Sequence, residues 1–392
     1  MSHPVRGLRV SVDARPLDIE HLRTQGIGRY AHGLLGPLGR VASERGGRLV
    51  LLRQGARRPS PYSGEVAGIA ERRLRRPPLP ERLSEYPEQV LLPLDLRRAR
   101  SWLHHSLSIY RAAVWPGVPS VMTMHDVVPL MWPEHYLRTG LMHRMLYRAA
   151  RGARLLLAVS EAAQRDAIAH LAVDPERVLV VPEAADERFA PSDPRLAGER
   201  LGVKQPYLLW VGGLAAHDPR KNLTGLLDAY AGWRRERSRP ETLVLAGRVG
   251  DEGRELAAHA ARGGAPVLFA GFVPDEELPS LYSGASCFLT ASRYEGFGLP
   301  ALEAISCGTP VVAFDAGAIP AVAGAGGRFA PDGDHDALMR AVEQVCDDRE
   351  LRARLSQAGM RHARRFSWAR TAELTWKAYE RAAGTRDPPR RP

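Results

Sequence analysis

The chain has 392 residues, 44% hydrophobic and 25% charged, a length that asks for two domains with separate cores and a composition that excludes a disordered or fibrous chain. Its +11 charge comes from 55 Lys and Arg against 44 Asp and Glu; only Lys204, Lys221 and Lys377 are lysines, so arginine carries it, mostly as solvated surface. Three cysteines, Cys287, Cys307 and Cys346, are too few and scattered for a disulfide framework or a zinc site; no apolar run reaches about 18 residues, and MSHPVRGLRV lacks the apolar stretch of a signal peptide, so a cytoplasmic protein is expected.

Residues 8–13 read as a first strand, and Gly26 to Gly28 as a turn before a helix from about Arg29. Residues 48–52, 120–124 and 155–159 are further strand candidates in this half. The arginine clusters Arg72, Arg73, Arg75, Arg76 and Arg97, Arg98, Arg100 would favour an anionic membrane face or acidic substrate. No nucleic-acid motif accompanies the charge, so nucleic acid is not an expected partner. Residues 188–205 are polar and proline-containing, like a linker. After it, strands at 207–211, 242–246, 267–270, 287–290 and 310–314 alternate with helices whose apolar spacing is near 3.6, the pattern of parallel sheets flanked by helices. The domains predicted are 1–187 and 206–365, with a last helix at about 366–383 and a disordered tail at 384–392.

The densest chemistry lies in SRYEGFGLPALEAISCGTPVV at 292–312. Pro300 suits the first turn of a helix running to about Cys307, and Gly296 and Gly298 let backbone approach a ligand. Backbone N–H groups there would face an anion. Glu303, one turn in, leans back toward the helix opening, and Glu295 flanks it. An anion between two carboxylates points to a sugar nucleotide; an ordinary strand, loop and surface helix is the plainer alternative. Lys221, in Pro219-Arg220-Lys221-Asn222, is a lysine at a helix start in a chain that otherwise uses arginine, which suits a phosphate contact. Arg248 lies just past a strand end, where ligands bind in open parallel sheets. His125 and Asp126 follow the apolar run 118–124.

The 292–312 block resembles the donor-site motif of the retaining glycosyltransferases of family 4. The resemblance continues in DPRKNLTGLLDAY at 218–230, GFVPDEELPSLYSGA at 271–285, MHDVVPLMWPEHY at 124–136 and GIGRYAHGLL at 26–35. It implies an α/β protein of GT-B fold, two facing Rossmann-like domains with a deep interdomain cleft, the last helix returning to the first domain. The His125 and Gly26 segments lean toward the mannosyltransferase-like branch.

By that resemblance Glu303 would take the ribose hydroxyls and Glu295 a donor-sugar hydroxyl. Backbone at Gly296, Phe297, Gly298 and Leu299 would hold sugar and phosphate, and main chain near Phe272 and Val273 the base, with Glu277 and Tyr282 structural. Lys221 would neutralise the leaving diphosphate. Gly26 and Gly28 would form a glycine loop near the diphosphate, and His125 would serve the oxocarbenium-like transition state. Asp126 would orient its loop, and His104 and His105 would border the acceptor groove. One departure stands out. The family's arginine after a glycine is missing from Val211-Gly212-Gly213-Leu214, leaving Arg220 or Arg248 to replace it beside Gly213. The resemblance also implies front-face substitution without a metal, and Asp332-Gly333-Asp334 reads as a turn and helix cap.

The function expected is retaining transfer of a hexose or deoxysugar from a nucleoside diphosphate sugar to a hydroxyl. GDP or UDP is the expected nucleotide, GDP-mannose the first choice of donor, and a glycan, lipid-linked or natural-product molecule the acceptor. No cofactor beyond this co-substrate is expected, and a peripheral contact with the inner membrane face fits the charge. A nucleotide-sugar epimerase or hydrolase, or a non-catalytic nucleotide-binding subunit, are the alternatives. A Rossmann dehydrogenase is disfavoured because no G-x-G-x-x-G follows the first strand.

Overall fold

A computed structural model describes residues 7–19, 26–54, 62, 67–74, 81–109, 112–136, 141–215 and 217–384. Two compact units emerge, one of Met1–Ala184 with Ser367–Pro392 and one of Ala185–Phe366. Each is an α/β unit built on a parallel sheet.

In the first unit the strands are β1 (Arg9–Asp13), β2 (Arg48–Gln54), β3 (Ile69–Leu74), β4 (Leu103–Ser106), β5 (Ser120–Met124), β6 (Leu155–Ala158) and β7 (Val178–Val180). They lie in the order β3-β2-β1-β4-β5-β6-β7, paired parallel throughout. Inner strands bury Val10, Val12, Leu49, Leu51 and Leu157, as expected where helices cover both faces. The edge strand β3 reads IAERRL and tolerates its charges because, among the described residues, only one of its sides is paired.

The second unit holds β8 (Tyr207–Val211), β9 (Thr242–Ala246), β10 (Val267–Gly271), β11 (Cys287–Thr290), β12 (Val311–Phe314) and β13 (Gly327–Ala330) in the order β10-β9-β8-β11-β12-β13. Its pairs are also parallel. Strand order reverses between β1 and β4 in one unit and between β8 and β11 in the other. Those reversals open crevices at the carboxyl ends of the strands, the usual ligand positions in such sheets.

Every strand expected from apolar runs is present, with ends moved by at most two residues. β3, β4, β7 and β13 were not expected. β4 reads Leu-His-His-Ser, which is no apolar run, and β7 is only three residues long, below the usual strand length.

Three expectations are corrected. The helix in the first unit begins at Gly26, not Arg29, and runs Gly26–Glu44, so Gly26 and Gly28 form its first turn. Residues 188–205 are not a free linker. They contain the helix Arg195–Leu201, closed by Gly202 in the left-handed region (φ 66°), with Phe189, Ala197 and Val203 buried. Backbone N–H groups of Ser192 and Ala197 donate to Ser283 Oγ (3.0 Å) and Ser280 Oγ (2.9 Å), so local polar groups meet partners in the second unit's own helix. The tail from 385, with Arg75 and Arg76, lies outside the described residues.

The last helix, Trp368–Ala383, belongs to the first unit. Ser367 accepts from the Arg370 N–H and caps it. Ala372, Trp376 and Tyr379 enter the core built by the Gly26–Glu44 helix and β1, and Thr371 Oγ1 donates to the Pro182 carbonyl at 2.7 Å. Among the described residues no helix is long and apolar enough to cross a membrane.

Candidate functional site

In the second unit the crevice between β8 and β11 gathers the basic and acidic groups. Past β8, Lys221 folds back so that Nζ donates to the Gly213 carbonyl at 2.9 Å and lies 5.5 Å from the centroid of the Trp210 ring. A Cβ on Gly213 would stand 3.3 Å from that nitrogen, so glycine keeps the approach open. Burial and the neighbouring Arg220 lower the Lys221 pKa, against the pull of Glu295 and Asp218. Two cations set this close would be relieved by an anion.

Arg220 sits between two carboxylates, Asp218 Oδ2 at 3.2 Å and Glu295 Oε2 at 3.3 Å. Its carbonyl accepts from the Arg293 N–H at 2.8 Å, which ties the loop after β8 to the loop after β11. Ser292 Oγ donates to the other oxygen of Glu295 at 3.2 Å. Gly298, with φ 93°, turns the chain into the helix Leu299–Ser306, whose first turn holds Pro300 and no acidic residue. Nothing acidic in that turn offsets the positive end of the helix dipole. Glu303 is 2% exposed and accepts from the Tyr282 hydroxyl at 2.9 Å.

Phe272 is 53% exposed, whereas Val273 beside it is buried. The Arg248 guanidinium lies 5.0 Å from the Phe272 ring centroid, a cation–π contact. Of the two arginines weighed for the missing position, Arg220 is the one in contact with Glu295, and Arg248 keeps to the aromatic ring.

In the first unit His125 directly follows β5. Its Nε2 is 2.9 Å from the Leu107 carbonyl and its Nδ1 2.8 Å from Glu183 Oε1. Burial opposes its charge, but Glu183, the Leu107 carbonyl and Asp126 outweigh that and raise its pKa. Asp126 Oδ1 accepts the Val128 N–H at 3.1 Å within the same loop. His104 and His105 do not border a groove: both are fully buried in β4, a central strand covered on both faces. His104 Nδ1 meets Ser11 Oγ at 3.1 Å, and His105 meets the Tyr379 hydroxyl at 2.6 Å and Thr123 Oγ1 at 2.9 Å. Burial holds their pKa values down at about 4 and about 3, so both are neutral near pH 7.

Several residues were given no role from sequence. Asp218 and Ser292 sit inside quoted motifs, and only their partners reveal what they do. Glu183 lies three residues past the end of β7, and its place near a strand end was a usable signal. A buried pair closes β1, where Arg15 donates to Asp13 at 2.7 Å and 2.6 Å. Burial raises the Asp13 pKa, but Arg15 more than reverses this and leaves it lowered. Among the described residues no group of three or more His, Cys, Asp or Glu is placed to hold a metal. In the Asp332-Gly333-Asp334 string, Asp334 caps the helix His335–Asp347, accepting from the Ala337 N–H at 2.8 Å.

Comparison with known proteins adds sequence evidence to this geometry. The family model "Glycosyl transferases group 1" matches residues 197–362, and "Glycosyltransferase Family 4" matches residues 25–189. O-antigen chain mannosyltransferase B of Escherichia coli is 34% identical over 293 residues, 73% of this chain and 76% of that protein. Serotype-specific mannosyltransferase WbdA of Escherichia coli is 30% identical over 275 residues, 67% of this chain, which spans 33% of that longer protein. Among solved structures, Anabaena Alr3699/HepE in complex with UDP and glucose superposes with a TM-score of 0.70 at 20% identity, over 95% of this chain and 99% of that one. Two parallel-sheet units and two family models that together run along most of the chain agree: it belongs to the family 4 glycosyltransferases of GT-B fold, on their mannosyltransferase-like side.

Proposed function

We propose that the chain transfers a hexose with retention of configuration from a nucleoside diphosphate sugar, GDP-mannose first, to a hydroxyl of a glycan, lipid-linked or natural-product acceptor. The observation that carries this is the grouping of Lys221, Arg220, Glu295 and the Gly298 helix opening at the end of β8 and β11. The choice of mannose rests on relatives named as mannosyltransferases.

In this reading the second unit holds the nucleotide. Glu303, fixed by Tyr282, accepts the ribose hydroxyls, and the diphosphate lies against Lys221, Arg220 and the Leu299–Ser306 helix opening. Arg220 turns from Glu295 to the phosphates, where its planar fork makes paired contacts, and Glu295 takes a sugar hydroxyl. As the bond from the anomeric carbon to the phosphate oxygen breaks, negative charge grows on the diphosphate, where Lys221 and Arg220 stabilise it. The acceptor oxygen bonds to that carbon on the same face, and its proton passes to the departing phosphate. These cations take the part a divalent metal plays elsewhere, so transfer proceeds without one.

The protein works at the inner face of an anionic membrane in this reading. Val90 (67% exposed) and Leu94 (42%) share a helix face with Arg97 and Arg98. Gln89 of the same helix bonds to Ala112 and Val114, and Trp115 (67% exposed) follows directly in the chain. Apolar side chains next to arginines suit an anionic bilayer surface.

Calorimetric titration of GDP, UDP, ADP and dTDP into the wild type and Glu303→Ala, with a chelator present, tests the donor site. GDP should bind, and the substitution should weaken it about tenfold to hundredfold, the loss of hydrogen bonds to a charged acceptor. Failure of every nucleotide to bind would overturn the reading. Sugar release at a rate no acceptor changes would show a hydrolase instead.

A further inference from the structure

We infer that His125 is a doubly protonated clamp across three strand ends of the first sheet, and that Glu183 is the positioning residue that keeps it so; His125 then does not exchange protons with substrate. Both ring nitrogens face groups that can only accept. A backbone carbonyl only accepts, so Nε2, 2.9 Å from the Leu107 oxygen, carries a hydrogen. A carboxylate likewise accepts, so Nδ1, 2.8 Å from Glu183 Oε1, carries one as well. Both ring nitrogens are spent inside the unit, and the pair is enclosed, with side chains 17% and 4% exposed.

What the clamp joins follows from the topology. Leu107 follows β4, His125 follows β5, and Glu183 lies past β7, on the last stretch before the chain leaves this unit at Ala184. One imidazolium thus fixes the carboxyl ends of three strands, the rim where ligands bind in parallel sheets. The surroundings agree in sign. Asp126 favours the charged ring from its own loop, and Tyr30, from the Gly26–Glu44 helix, meets it edge-on at 4.9 Å. His105, in β4 behind it, is neutral and adds no opposing charge. Tyr30, Thr123, His105 and Tyr379 form a hydrogen-bonded row across the core, so the ring that abuts His125 is itself anchored to the last helix.

The protonation state stands without the proposed activity; its service to transfer rests on that reading, and the two are tested separately. Ring-nitrogen NMR of imidazole-labelled protein, with the signal assigned by its loss in His125→Gln, reads the state directly. Both nitrogens should be protonated at pH 7, above the ordinary histidine value. Glu183→Gln keeps an acceptor of the same shape and should lower the midpoint by about one unit, a tenfold loss in proton affinity. A bare ring nitrogen in the wild type at pH 7, or an unmoved midpoint in Glu183→Gln, would overturn the inference. Should that variant not fold, the wild-type spectrum alone decides. In turnover, Glu183→Gln should leave GDP affinity intact and shift the alkaline limb of the kcat profile to lower pH. An unshifted limb beside a shifted NMR midpoint would remove the role in transfer; absence of nucleotide binding in the wild type would remove the activity and leave the clamp.

Discussion

Lys221 and Arg220 are adjacent in sequence and unlike in setting. Arg220 is held by two carboxylates, whereas the Lys221 ammonium rests on a carbonyl and an aromatic face, with its pKa lowered. A group so placed gains most from an anion whose charge grows during reaction. Lys221→Ala is therefore expected to cut kcat by about a hundredfold to a thousandfold, the usual cost of losing one preorganised stabilising group, with a far smaller change in nucleotide affinity. Steady-state kinetics beside calorimetry separate the two; weakened nucleotide affinity with kcat unchanged would make Lys221 a ground-state binder only. The buried histidines give a pH prediction. His104 and His105 are depressed to about 4 and about 3, so between those values and the ordinary 6.5 the unfolded chain binds more protons. Their contribution to stability is complete above about pH 6.5 and is lost as pH falls through that window. His125 is raised, so its contribution is complete below about 6.5 and is lost as pH climbs through its folded value. Thermal melts should show an acid-side decline that becomes shallower in His105→Gln; an unchanged slope would contradict the assignment.

At the scale of elements, two helices show how glycine can serve opposite ends. In the Gly26–Glu44 helix, a Cβ on Gly33 would fall 2.1 Å from Trp368 Cε2, so the last helix can lie against the first only because that side chain is missing. Gly33→Ala forces the indole or the backbone to shift and should cost about 1–3 kcal/mol, read by chemical denaturation. Gly232, inside the helix Leu223–Arg237, has nothing within 4 Å of such a Cβ. There Gly232→Ala should stabilise by about 0.5–1 kcal/mol through helix propensity alone. Equal effects at both positions would mean that the Gly33–Trp368 contact does not govern the packing. Gly298 works differently again, since its φ of 93° turns the chain into the Leu299–Ser306 helix. That turn was legible in sequence, because glycine followed by proline two residues on reads as a helix start. The Gly33 contact was not, since its partner lies more than three hundred residues away.

For the molecule as a whole, charge and exposed apolar surface make a joint prediction. The protein should co-sediment with vesicles rich in an anionic lipid and not with neutral ones. Arg97→Glu with Arg98→Glu should weaken binding by about 1 kcal/mol per charge, and Trp115→Ser should weaken it without changing its salt dependence. Binding that ignores lipid charge would remove the membrane assignment. The parallel α/β class, most strands and the Gly298 to Glu303 block were legible from residue order alone, because apolar period, glycine and proline act over a few residues. The folded chain was needed to show that His104 and His105 are core groups, that 188–205 packs into the second unit, and that His125 meets Glu183 and Arg220 meets Glu295, 58 and 75 residues apart. Such pairings depend on strand order, and strand order is a property of the whole sheet that no local run of residues records.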